Sequence, residues 1–129
     1  MSFIAKSTVR LVVSDAILKR SVLNIKYQHT SDGQVVNHKL APFDIGSTNP
    51  KTSQKNVDML YAYSYTHLNE KTNRLDPKVC AFNINNFIVI DVTEEVFDES
   101  ELAKLNLEKT RYDYRACNFA LVPDRKWFS

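Results

Sequence analysis

Residues 58–66 read DMLYAYSYT, and their period decides the fold. Tyr61, Tyr63 and Tyr65 stand at every second position, with Ala62 and Ser64 between them and Leu60 before. A period of two belongs to an extended strand, whose side chains alternate between two faces, and not to a helix. A strand over 59–66 therefore carries Met59 and three phenol rings on one side and a small, mostly aliphatic set on the other. The small set suits the tight interior of a closed sheet, which turns the rings outward. A competing reading packs the same rings against the N-terminal helix or the C-terminal tail, each hydroxyl reaching water.

Upstream, Val9, Val12, Val13, Ala16 and Ile17 follow helical spacing behind Ser7, a good N-cap residue, and predict a helix over 7–20. The period then changes. In VLNIKYQH (22–29), Leu23, Ile25 and Tyr27 alternate with polar residues, Asp32-Gly33 supplies a tight connection, and VVNHKLAPF (35–43) returns as the partner strand. GSTNPKTSQKNV (46–57) and HLNEKTNRLDP (67–77) read as polar loops. KVCAFNI and FIVIDVTEEVF are two more strand-like runs, broken by Asn85-Asn86. A short helix is expected over 99–107, capped by Asp98 or Ser100. The tail, 110–129, alternates Tyr112, Tyr114 and Ala116 as a strand would, although Tyr112, Ala116, Phe119 and Ala120 would also line a helix. The chain, 1–129, is thus expected to be a single domain, mainly β with flanking helices. Its antiparallel strands, over 22–97, close into a small β-barrel because closure removes exposed edges.

Composition closes several classes. Two glycines, Gly33 and Gly46, cannot build a phosphate-cradling glycine loop. His29, His38 and His67 are scattered, no serine or cysteine sits in a nucleophile-type turn, and no Cys-x-x-Cys occurs. No catalytic residue, metal ligand or cofactor is therefore assigned. No stretch approaches the roughly 20 apolar residues of a membrane span. With no secretory signal in the reading, Cys80 and Cys117 are expected to stay reduced in a cytoplasm.

Two groups of residues invite a partner. Outward rings at Tyr61, Tyr63 and Tyr65 would stack bases, and His38, Lys39 and Lys78, with Lys26 and Arg74 on neighbouring segments, would hold phosphates. The plainer reading is a solvated surface of mixed charge, since Glu70 and Asp76 are interspersed. At the other end, Arg125, Lys126, Trp127 and Phe128 combine the residue types of interface hot spots. They would dock a protein partner or a second copy, or fold back to plug the barrel.

The course of helix, LNIKY, HKLAPFDI, LYAY and AFNINNFIVI, over residues 8–98, resembles a WYL domain. His38 stands four before Pro42 where that family has a basic residue, with Lys39 beside it. The naming Trp-Tyr-Leu triplet would fall on Asp58, Met59 and Leu60, followed by the matching Ala62 and Tyr63. In a later segment that family has an arginine two before a phenylalanine and then an Asp-Arg pair; here Cys80 stands two before Phe82, and Asn85-Asn86 takes the place of the charged pair. The resemblance implies an Sm-like small barrel and a non-enzymatic, regulatory, ligand-binding module of bacterial type. It further implies a nucleotide or single-stranded nucleic acid as ligand. Residues 1–21 hold one helix, too few for the helix-turn-helix that usually precedes such domains. The alternative is a protein-interaction module or accessory subunit docking through its C-terminal aromatic tail.

Overall fold

The computed structural model describes residues 2–48, 55–69 and 71–98. The short helix expected over 99–107 and the tail, with Cys117, Arg125, Lys126, Trp127 and Phe128, lie outside the described residues.

Helix α1, Lys6–Lys19, buries Val9, Val13, Ala16 and Ile17, the stripe that the spacing predicted. Its start differs from expectation: the N-cap is Ala5, without a side-chain cap, and Ser7 lies within the first turn. The chain is instead held there by Ile4, whose N–H donates to the Phe87 carbonyl at 2.8 Å. At the other end Arg20 takes the left-handed conformation, φ 60°, and its N–H reaches the carbonyls of Ala16 and Ile17. That stop turns the chain into the sheet.

Five strands follow: β1 (Ser21–Gln28), β2 (Val35–Thr48), β3 (Lys55–Ser64), β4 (Lys78–Asn83) and β5 (Phe87–Val96). All pair antiparallel in the order β4-β3-β2-β1-β5. The Asp32-Gly33 turn forms as expected, with Gly33 at φ 72° and Gln34 N–H donating to the Asp32 carboxylate. Ile84–Asn86 forms a single 3-10 turn capped by the Asn83 side chain and joins β4 to β5. The 67–77 segment is less irregular than its polarity suggests. Leu68 bridges Leu75 across a small turn, in which Asn69 accepts from the N–H groups of Lys71 and Thr72.

The expected closure into a barrel is not met. Among the described residues β4 and β5 are the two edges of one open sheet. Long β2 accounts for the curvature that is present. Its first half pairs with β1 and its second with β3, Leu40 being the residue common to both ladders. The bend follows at Pro42, which has no N–H to give, and at the register shift between Pro42 and Asp44. Gly46, expected in a loop, lies inside this strand opposite Met59.

The centre of the sheet is buried on both faces. On one face α1 covers Leu23, Ile25, Tyr27, Leu40, Leu60, Ala62, Phe82 and Phe87. On the other, Val22, Ala41, Phe43, Met59, Tyr61, Tyr63, Val79 and Phe97 form a second cluster. Two surface ion pairs, from Lys6 and Arg10 to Asp58, tie α1 to the start of β3.

Candidate functional site

The alternation in β3 sorts its side chains as expected, with Leu60 and Ala62 under α1 and the tyrosines opposite. Their exposure is not as expected. Tyr61 is 0% and Tyr63 7% exposed, so the outward platform is corrected to a second core. The physical reason lies in β2: Tyr61 lies across Gly46, and Phe43, placed by the irregularity after Pro42, packs in the same cluster. A base cannot stack on a ring sealed in this way. Burial also pushes the Tyr63 hydroxyl up, with Asp76 adding to the effect.

Tyr65, one step past β3, is only half-buried and remains at the rim of that cluster. Its own contacts and that of its neighbour Thr66 tie it to Lys39 and Tyr63. Its N–H donates to the Lys39 carbonyl at 2.9 Å, the Lys39 N–H donates to Thr66 Oγ1 at 3.0 Å, and Tyr63 meets its ring edge-on at 5.1 Å. The Lys39 ammonium lies over the Tyr65 ring, 5.6 Å from its centre, a cation–π arrangement. Lys39 also pairs with Glu95 of β5 at 2.7 Å. Lys26, opposite Asn37 and thus one diagonal step from Lys39, presents its side chain on the same face. The result is an aromatic ring under one cation, with a carboxylate against that cation and Lys26 one strand further along the same face.

His38 belongs to the other side. Its ring is buried, shares a 2.7 Å hydrogen bond between Nδ1 and Ser64 Oγ, and meets Phe82 edge-on at 5.1 Å. Burial lowers its pKa to about 4, helped by the charges of His67 and His29, so the ring is neutral at pH 7. It is not the phosphate-binding cation that the sequence suggested, because a neutral ring inside a core neither attracts nor reaches an anion. Ser64 is equally enclosed, which denies the His–Ser pair a substrate. Lys78 pairs with Ser64 across the β3–β4 ladder, so it leaves the sheet on the His38 side, away from the tyrosines. The structure thus unites Tyr65, Lys39 and Lys26 and parts them from His38 and Lys78. Glu95 and Thr66 went unnoticed in the sequence, since nothing local marks a contact made across the sheet.

Burial pushes the Cys80 thiol up to about 12, which keeps it protonated and inert. Among the described residues no cluster of three or more His, Cys, Asp or Glu could hold a metal, and no helix is long and apolar enough to cross a membrane.

One helix set against a bent five-stranded antiparallel sheet, with a 3-10 turn before the last strand, defines a mainly β fold. Among solved structures it is similar to the proteasome accessory factor B/C (PafBC) of Arthrobacter aurescens. The TM-score is 0.54 at 14% identity, over 78% of this chain, and the chain spans 14% of that one's length. The likeness bears on the fold alone and supports a WYL-like one. The chain matches no family profile and no curated protein.

Proposed function

We propose that this chain is a non-enzymatic, WYL-like regulatory module that binds a nucleotide or a single-stranded nucleic acid on the face around Tyr65. The observation that carries the reading is the Lys39 ammonium held over the half-buried Tyr65 ring. Ring and cation are the two elements such a ligand needs: a flat surface for a base and a positive charge for the neighbouring phosphate. Lys26 on the same face adds a second phosphate contact. Similarity to a protein named as an accessory factor fits an auxiliary role.

One ring and two cations make a modest site, so binding should be weak and strongly dependent on salt. Titration of a labelled mixed-sequence single-stranded oligonucleotide at low and at physiological ionic strength tests this. The expected result is saturable binding at low salt that weakens as salt rises, with Tyr65→Ala losing about 1 to 3 kcal/mol of it. Absence of binding at low salt removes this class of ligand.

A further inference from the structure

The outer edge of β5 offers backbone groups that the ligand face does not use, although Glu95 of the same strand pairs with Lys39. Among the described residues β5 pairs with β1 alone, so between Ile88 and Val96 alternate peptide groups point away from the sheet. The strand runs for ten residues, long for an edge. Val92 and Val96 are 53% and 68% exposed, and Val89 is exposed as well. The opposite edge is unlike it, for Val79 and Phe82 of β4 are buried. Of the two edges, β5 is the one that offers apolar side chains together with its backbone.

The charges on β5 discriminate between occupants. Asp91 and Glu94 are exposed along the strand, and Glu95 adjoins them. Two copies paired through this edge would crowd the carboxylates of both into one short ladder, and like charges facing each other destabilise a sheet. A second copy is therefore disfavoured. A strand alternating β-branched residues with lysine or arginine, its apolar residues opposite Val92 and Val96 on one face, sets its cations opposite Asp91 and Glu95 on the other. We propose that β5 is a docking edge for an extended basic and apolar segment of a partner protein, which joins the sheet as a sixth strand.

Amide hydrogen exchange on the full chain tests this, with a capped peptide of alternating valine and lysine as the probe and its valine–glutamate counterpart as control. The lysine peptide should slow exchange within Ile88–Val96 and the glutamate peptide should not. In the Asp91→Lys variant the affinity for the lysine peptide should fall about threefold, one cross-strand charge pair having been reversed. Failure of the lysine peptide to slow these amides overturns the proposal, as does equal slowing by both peptides. Protection that is already present in the free chain and grows with protein concentration overturns it too, since the occupant is then a second copy.

Discussion

At the scale of single residues, His38 and Glu95 carry the consequences most open to measurement. The His38 pKa drops from 6.5 to about 4 on folding, burial being the largest cause. Between those values the unfolded chain holds a proton that the folded chain refuses, so stability falls as pH falls through that window and is whole above about 6.5. The loss is at most about 3 kcal/mol. His38→Gln, which keeps a hydrogen-bonding group for Ser64, should flatten the pH dependence of urea unfolding between pH 6.5 and 4. A variant as pH-sensitive as the parent would contradict the assignment. Glu95 acts on the ligand face. Its carboxylate sits 2.7 Å from the Lys39 ammonium, where a phosphate would go, and must be displaced by an anionic ligand. Exposed pairs of this kind are weak, so Glu95→Gln should tighten oligonucleotide binding only about two- to fivefold. Lys39→Gln should weaken it and lower the salt slope by about one. Fluorescence anisotropy at several salt concentrations reads both.

At the scale of elements, β2 joins both halves of the sheet, and at Gly46 within it a side chain would run into Tyr61. A Cβ there would stand 2.7 Å from Tyr61 Oη and 2.9 Å from Cζ, and the ring is buried with no room to withdraw. Gly46→Ala should therefore cost about 1 to 3 kcal/mol in chemical denaturation; an unchanged midpoint would show that the ring does not lie across this strand. Local chemistry misplaces this glycine, because Gly-Ser-Thr-Asn-Pro reads as a loop while the pairing of Gly46 with Met59 lies far along the chain. The stripe in β3 shows the same limit from the other side. Alternation correctly tells which residues share a face, since it is a property of the strand itself. It does not tell what covers that face: the unbroken run over 59–63 fits burial on both sides, but tyrosine, apolar in its ring and polar at its tip, suits a wet face as well. The α1 stripe was legible because a single partner, the sheet, receives it. The N-cap was not, because Ile4 bonding to Phe87 sets the helix start from a distance.

At the scale of the whole molecule, one bent sheet separates two cores and so divides the candidate residues. His38, Ser64 and Lys78 go with α1, whereas Tyr65, Lys39 and Lys26 lie on the far face. Sequence shows polar and aromatic residues of the right kinds; only register assigns each to a side. The reading of a module with one ligand face and one docking edge therefore depends on that division. Backbone amide shift mapping of the labelled full chain, titrated with a single-stranded oligonucleotide at low salt, tests it most directly. The expected shifts cluster at Lys26, Lys39, Tyr65 and Thr66 and leave Lys78 unmoved. Shifts centred on His38 and Lys78, with Tyr65 and Lys39 silent, would contradict it.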